Sequence, residues 1–576
     1  MKASDYIVSF FEAHGIDFIF GYQGGMITHL VDSISKNPKI KFIQCYHEQS
    51  SAIAAEGYAR ASGKFGVAIS TSGPGATNMI TGIANAYFDS IPVVYITGQV
   101  NTYEYKYDKK IRQQGFQETD IIRMVQPVTK YATLVDDITK LRYELEKAVH
   151  IATTGRKGPV VLDIPMDIQR SDINIQELSS FQPQIIQEKV DFLIPIKAAL
   201  EKLANAQNPL ILCGGGILSS GCKKELANFL SRSQFPYAVS LMGKGSVNEQ
   251  NKNCIGMIGS YGNRCANILF SQADVVLVLG SRLDLRQTGN RKSNVLKTIH
   301  FIHVDIDEQE LSECDLPNRT NICTDLNTFF SIESQLSIHY SVPQKWFDYI
   351  VSIKQKYSQE KDIEKFVANP KPYIALSQIA NAASGDTIFT VDIGQNQMWA
   401  AQMLTLNEKQ LFFTSGGMAP MGYSLHAAIG AAFARPEKEI ICITGDGGFH
   451  IALQSLLLIS QYNLNITIYV LNNEALGMIT QFQTLYFNSN MAGTTAVGGY
   501  LVPDIQKIAE AFRLKYYYVE DPQKNASIPK SSGSIIEINL GSLTTVVPKL
   551  EFNQPLYNML PYLSHEEIDG FKKKDI

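Results

Sequence analysis

Neither sign of charge is in excess in this sequence: 51 Lys and Arg stand against 55 Asp and Glu, a formal net charge of -4 over 576 residues. A surface for nucleic acid or an anionic membrane needs a basic excess, so small molecules are the expected partners, with no nucleic acid and no membrane among them. Long apolar runs are missing too. The first segment carries Asp5, Glu12, His14 and Asp17, which interrupt any signal-peptide core, and no later stretch approaches the ~18 uncharged apolar residues of a membrane span. These absences predict a soluble, cytoplasmic protein. The eight cysteines form no C-x-x-C pair, which argues against a zinc site or a disulfide framework and for reduced, buried small hydrophobes. A Walker A loop is absent as well, since MGKGS near position 242 lacks the required earlier glycine.

What is present is ordinary globular composition, 45% hydrophobic and 18% charged. The chain is too long for one core, and at roughly 150 residues per domain it should hold three or four domains. Short β-branched and aliphatic runs alternate with helical stretches, the grammar of parallel α/β layers. GVAISTSGPGATN, IPVVYITGQ and GPVVLDIP read as buried strands of a first domain over 1–170, followed by a polar linker over 171–189. PLILCGGG, ADVVLVLGSRLD and IHFIHVDID define a central Rossmann-like domain over 190–335; GDTIFTVDIG, EIICITGDGGF and NITIYVLNNEALG define a third over 370–550, with a tail from 551 to 576. The outer two look duplicated. In each, a helix rich in small residues (AIAAEGYARASG; HAAIGAAFARP) leads into a strand that stops at a glycine turn (STSGPG; TGDGG). The expected fold class is therefore α/β, with three doubly wound parallel-sheet domains.

The sharpest chemistry lies at Gly445-Asp446-Gly447-Gly448 and Asn472-Asn473, with Asp446 and Asn473 27 positions apart (446 to 473). One strand, one helix and the next strand fill that gap, so a right-handed βαβ unit brings a carboxylate and an amide oxygen to one sheet edge. Hard oxygens in that number suit Mg²⁺, which completes its shell with phosphate oxygens and water. Gly447 and Gly448 let backbone approach a diphosphate, and the following helix offers its N-terminal N–H groups.

With G-D-G and N-N at this spacing, the chain resembles the thiamine diphosphate (ThDP) enzymes. Within them it is similar to the large catalytic subunits of acetolactate synthases, through FGYQGG, YHEQSSAIAAEGYARASGK, TSGPGATN, GFQETD, GPVVLDIP, GSRLDLRQTGN, TSGGMAPMGYSLHAAIGAAFARP, GDGGF and NNEALGMITQF. The resemblance implies a pyrimidine-binding first domain, a diphosphate- and Mg²⁺-binding third domain, and a central domain that holds FAD without net redox chemistry. It implies that Glu48 contacts the aminopyrimidine of ThDP, shares a proton with its N1′, and so makes N4′ basic; a short apolar helix behind Glu48 would restrict water around it. Gly24, Gly25 and Gln117 join Glu48 as catalytic residues by the same carry-over, and Pro74 and Asn78 join it around the pyrimidine.

Met421 matches the bulky residue beneath the bend of ThDP. Gly394, Gln395, Asn396 and Gln397 match the diphosphate loop, with Gly417, Gly477 and Met478 nearby, and the Ala475 carbonyl would be a third metal ligand beside Asp446 and Asn473. For FAD the matching residues are Arg156, Gly214, Gly215, Gly216, Met257, Gly259, Gly280, Arg282, Asp284, Arg286, Asp305 and Asp325. For substrate they are Phe116, Gln117, Met257, Arg282 and Phe482, with Arg282 as a carboxylate fork.

The resemblance implies decarboxylation of pyruvate and transfer of its two-carbon unit to a second keto substrate, giving 2-acetolactate when that is pyruvate. It also implies a homodimer or tetramer with shared sites, and leaves room for a small regulatory subunit. Departures cluster at the mouth of the site: Phe482 stands where Trp is usual, Asn396 for His, Met166 for Lys, and Gln23 and Met26 for Pro and Ala. The tail VVPKLEFNQPLYNMLPYLSHEE lacks the usual Met-Val-Pro ending. An alternative acceptor is therefore a keto-sugar nucleotide of surface-polysaccharide synthesis. A 2-keto acid decarboxylase and a non-catalytic homologue are the remaining alternatives; retention of Glu48, Asp446 and Asn473 argues against the latter.

Overall fold

A computed structural model describes residues 1–183, 191–289, 294–542 and 544–571. Residues 184–189 of the expected linker and Asn290 of the GSRLDLRQTGN motif lie outside the described residues. Three six-stranded sheets carry the chain, and within each every pairing is parallel.

The first contains β1 (Phe18–Tyr22), β2 (Lys41–Gln44), β3 (Gly66–Ser70), β4 (Val93–Gln99), β5 (Tyr131–Leu134) and β6 (Val160–Pro165) in the order β2-β1-β3-β4-β6-β5. The second contains β7 (Pro209–Cys213), β8 (Tyr237–Val239), β9 (Cys254–Met257), β10 (Val275–Leu279), β11 (His300–Asp305) and β12 (Arg319–Cys323). Its order, β9-β8-β7-β10-β11-β12, is the 3-2-1-4-5-6 sequence of dinucleotide-binding sheets. The third contains β13 (Ile388–Val391), β14 (Leu411–Phe413), β15 (Ile440–Gly445), β16 (Ile466–Asn472), β17 (Lys515–Val519) and β18 (Ser534–Asn539), ordered β14-β13-β15-β16-β18-β17. Renumbered from its own first strand, that is 2-1-3-4-6-5, identical to the first sheet.

The central strands read as continuous apolar runs because helices cover both faces. β3, β4, β6, β7, β10, β13 and β16 are buried at every position. Seven of the eight free cysteines are buried, Cys323 being the exception. Among the described residues no helix is long and apolar enough to cross a membrane.

The two similar domains meet through the helices Glu48–Ser62 and Tyr423–Ala434, the small-residue segments that resembled each other in sequence. A Cβ added to Gly57 would lie 2.3 Å from the Ala427 oxygen, and one added to Gly430 would lie 1.8 Å from the Ala54 oxygen. Only glycine permits so close a crossing. Beside it, Arg60 pairs at 2.9 Å with both Glu56 and Asp89, all three nearly sealed from water, and Tyr423 donates to Glu56 at 3.1 Å. The tail returns to the central domain, where β19 (Lys549–Leu550) and β20 (Met559–Leu560) pair antiparallel and the Leu550 N–H donates to the Ser260 oxygen at 2.7 Å.

Candidate active site at two equivalent sheet edges

In the first domain Gly24 and Gly25 follow β1, Glu48 follows β2, Pro74 and Asn78 follow β3, and Gln117 follows β4, all at the carboxyl edge of the sheet. Glu48 opens its helix, whose N-cap His47 accepts the Gln49 N–H through Nδ1 at 3.1 Å. Its carboxylate is buried and accepts from Asn78 Nδ2 at 3.0 Å. Glycine is needed opposite it: a Cβ on Gly75 would come 3.2 Å from Glu48 Oε1, and one on Gly24 would strike Thr71 Cβ at 2.6 Å. Ser72 Oγ, in the same turn, is buried with no hydrogen-bond partner among the described residues, an opening for a polar ligand atom.

Gln117 reaches this edge from a loop, its Cβ 3.0 Å from where a side chain on Gly73 would begin. Its φ of +63° is held by a network that sequence reasoning missed. Glu118 accepts the Lys106, Gln114 and Gly115 N–H groups at 2.9, 2.6 and 3.1 Å. Gln99 Nε2 bridges the Thr119 oxygen (2.8 Å) to Asp163 Oδ2 (2.9 Å), and Thr97 donates to Asp163 Oδ1 at 2.7 Å. Burial pushes the Asp163 carboxyl up to about 7. Phe116 is not drawn in: it is 79% exposed.

The third domain repeats the arrangement with different chemistry. β15 and β16 run in register from Ile440↔Ile466 to Gly445↔Leu471, so Asp446 and Asn472-Asn473 emerge side by side. Asp446 accepts the Gly447 N–H (2.7 Å) and Tyr500 hydroxyl (3.2 Å) on Oδ1, and the Ala475 N–H (3.2 Å) on Oδ2. Burial still raises it to about 6, against those hydrogen bonds. Such a carboxylate is one that a bound cation would hold ionised. Asn473 Nδ2 donates to Thr544 at 2.8 Å and to Gln395 at 3.3 Å, which leaves its carbonyl oxygen as the group to ligate.

Asp392, at the end of β13, is a further organiser: its carboxylate accepts the Gly422 and Ser424 N–H groups at 3.0 and 2.9 Å and the Ser424 hydroxyl at 2.7 Å. Asn396 donates to its backbone oxygen at 2.8 Å. This bond sets the start of the Gly394–Gln397 loop, while Gln397 pins the next turn through Thr414 and Ser415. Gly447 and Gly448 line a cradle that admits no side chain. Their Cβ atoms would meet Met421 Cε at 2.8 Å and Asp392 Oδ1 at 2.5 Å respectively, and a Cβ on Gly477 would meet Gln395 Oε1 at 2.1 Å. The donor set, cradle and paired oxygens fit a diphosphate with its Mg²⁺.

One helix links the first-domain edge to the third domain. Asn78, Glu48's partner, lies in the first turns of the helix Pro74–Phe88, whereas Asp89, which caps the far end, accepts the Gly416 and Gly417 N–H groups at 3.1 and 3.0 Å. From Asn78 to Asp89 that helix spans about 16 Å.

Between the three domains lies a cavity of about 790 Å³. Arg156, Gly215, Gly216, Met257, Gly280, Arg282, Asp284, Arg286, Asp305 and Asp325 line it. Gly214 and Gly259 act behind the wall, where Cβ atoms would lie 2.1 Å from the Gly280 oxygen and 2.6 Å from the Arg286 oxygen. Arg156 is paired with Asp307 at 2.9 Å and Glu310 at 2.7 Å. Asp325 caps its helix through the Thr328 N–H at 3.0 Å. Arg282 is 3.5 Å from Asp284. The charge of Arg286 opposes the rise that burial imposes on the Tyr261 phenol; the Tyr261 hydroxyl touches Met478 Sδ at 3.5 Å. Phe482, one turn beyond Met478, packs with Tyr486, Phe487 and Phe552.

Family models of the thiamine pyrophosphate enzymes match in three pieces: the N-terminal TPP binding domain over residues 1–124, the central domain over 196–331 and the C-terminal TPP binding domain over 392–531. The acetolactate synthase large subunit of Lactococcus lactis is 33% identical over 544 residues, covering 93% of this chain and 92% of that protein. The acetolactate synthase isozyme 2 large subunit of Escherichia coli is 33% identical over 570 residues (98% and 100%), and the large subunit of Cyanidium caldarium 35% over 517 (87% and 86%). With its three sheets, its two matched glycine-lined edges and this near end-to-end similarity, the chain belongs to the thiamine pyrophosphate enzymes, in the family of the acetolactate synthase large subunits.

Proposed function

We propose that the protein is a ThDP- and Mg²⁺-dependent carboligase that converts two molecules of pyruvate to 2-acetolactate and CO₂. The observation that carries this reading is the pairing of Glu48 and Asn78 on one sheet edge with Asp446 and Asn473 on the equivalent edge of a sheet of identical strand order. ThDP, when bound, supplies an electron sink for the carbanion left by decarboxylation. Asp446, Asn473 and the Ala475 carbonyl would hold its Mg²⁺, the Gly394–Gln397 and Gly447-Gly448 turns its diphosphate, and Met421 the bend between its rings. Glu48 would meet the aminopyrimidine from a buried position, and Asn78 fixes its carboxylate. Gln117, Gly24 and Gly25 flank the same opening. Arg282 and Arg286, which both line the cavity, are the candidate partners for an acceptor's carboxylate.

FAD is the ligand we propose for the central cavity, whose size lies in the range of small-molecule pockets and whose walls carry glycine turns and strand-end acids. The span from Asn78 to Asp89 supports a homodimer, alone or paired into a tetramer, in which each site takes Glu48 from one copy and Asp446 from the other. The relatives are named large subunits, which favours a small regulatory partner, and cytoplasmic location completes the proposal. Pyruvate supplied with ThDP and Mg²⁺ should yield CO₂ and acetolactate in a ratio of one to one. Failure to consume pyruvate in the cofactor-loaded protein would refute the assignment.

A further inference from the structure

Among the described residues, three Lys or Arg residues are buried as whole residues: Lys244, Arg264 and Lys549. The first two are neutralised. Lys244 meets Glu249 at 2.5 Å and Arg264 meets Asp362 at 2.8 Å. Lys549, 8% exposed on β19, is different: among the described residues no oxygen stands in hydrogen-bonding or ion-pairing position to its Nζ. What surrounds it is aromatic, with Nζ 5.8 Å from the Phe482 ring centre and 5.5 Å from that of Tyr486. The ring faces take up part of the charge, while Nζ itself is not among the side-chain atoms sealed from solvent without a partner, so the ammonium keeps an open side. Burial lowers its pKa, and the nearby Glu551 charge opposes that shift only as a secondary influence.

The position of this cation gives it meaning. The segment before it runs along the helix Gly477–Tyr486: Thr544 bonds Asn473 and Gln395 at one end, Val546 bonds Gln481 midway, and Lys549 reaches Phe482 and Tyr486. At 1.5 Å per residue, Phe482 lies about 7 Å beyond Gly477 along that helix. The diphosphate cradle ends at Gly477. Lys549 therefore stands beyond the end of the cradle, on the Phe482–Tyr486 face of that helix.

We propose that Lys549 is an anion-recognition residue of the acceptor pocket, binding an oxyanion, carboxylate or phosphate, carried by the carbonyl compound that takes up the two-carbon unit. The proposal rests on the carboligase reading and deepens it.

The test compares the cofactor-loaded wild type with Lys549→Met, which keeps the length and apolar stem, and with Lys549→Arg. Acceptors are 2-ketobutyrate, a phosphorylated keto sugar, and benzaldehyde as an uncharged control, each with pyruvate as donor. Lys549→Met should raise KM for the anionic acceptor at least tenfold while leaving that for benzaldehyde within twofold, and Lys549→Arg should restore most of the loss. The anion that loses most identifies the source: 2-ketobutyrate for a carboxylate, the phosphorylated sugar for a phosphate. Pyruvate decarboxylation with ferricyanide replacing the acceptor reads the donor step separately and should be unchanged; thermal melting confirms that the variant is folded. Equal loss for charged and uncharged acceptors, or no loss for any, overturns the role of Lys549. A wild type that fails to decarboxylate pyruvate overturns the carboligase reading instead.

Discussion

The Gly417 backbone N–H donates to Asp89 at 3.0 Å. This contact fixes the Gly416-Gly417 turn against the end of the helix Pro74–Phe88, whose first turns carry Asn78, the partner of Glu48; on the proposed reading each site is shared between two chains.

Mixing two inactive variants tests that sharing. Glu48→Gln and Asp446→Asn homodimers should each be dead, whereas random subunit exchange makes hybrids with one intact and one doubly altered site. Equal mixing should recover roughly a quarter of wild-type activity. No recovery, with exchange demonstrated by mass spectrometry of tagged chains, would mean that each chain completes its own site.

Glu48→Gln should bind ThDP almost normally yet slow proton–deuterium exchange at the thiazolium C2 by about 10²–10⁴-fold. The amide keeps the Asn78 contact at the same length but cannot share a proton with the aminopyrimidine. NMR of acid-quenched cofactor measures the exchange. A rate equal to wild type would remove Glu48 from the chemistry.

At the opposite edge the expected defect is in binding. Asp446→Asn or Asn473→Ala should weaken Mg²⁺ and ThDP together, because each removes one of the few protein oxygens available to the metal. Calorimetric titration of ThDP at fixed Mg²⁺ should show an affinity at least tenfold lower. Raising Mg²⁺ should recover part of it, and full affinity at low Mg²⁺ would place the metal elsewhere.

Asp163 predicts a pH dependence of stability. Burial outweighs the Thr97 and Gln99 hydrogen bonds and lifts its carboxyl to about 7. The folded protein thus keeps a proton that the unfolded chain releases near pH 4. Its contribution favours the fold below about pH 4 and is lost as pH rises to about 7. Asp163→Asn is neutral throughout and should narrow the difference between urea midpoints at pH 5 and pH 7. An unchanged difference would show that Asp163 is ionised in the native state.

The strands and glycine turns were legible because each is a local pattern: IICITGDGG announces β15 and its turn, and the spacing to Asn473 follows from one βαβ unit. The likeness of the two small-residue helices pointed to duplication, and the shared 2-1-3-4-6-5 strand order bears it out. Asp392, Glu118, Tyr500 and Thr544 went unread. Each acts through a partner that the fold, not the spacing, supplies: Tyr500 reaches Asp446 across 54 positions and Thr544 reaches Asn473 across 71. Asp392 at a strand end and Glu118 before a left-handed Gln117 offered weak signals. Lys549 offered none, since a lysine near a terminus reads as solvated surface until its burial is known.

The crossing at Gly57 and Gly430 also bears on how the molecule comes apart. With backbone oxygens where side chains would begin, neither helix can slide or rotate against the other, and the outer domains cannot loosen separately. They should melt as one cooperative body in calorimetry. Gly430→Ala, by wedging the crossing open, should uncouple them into two resolved transitions before it harms either sheet.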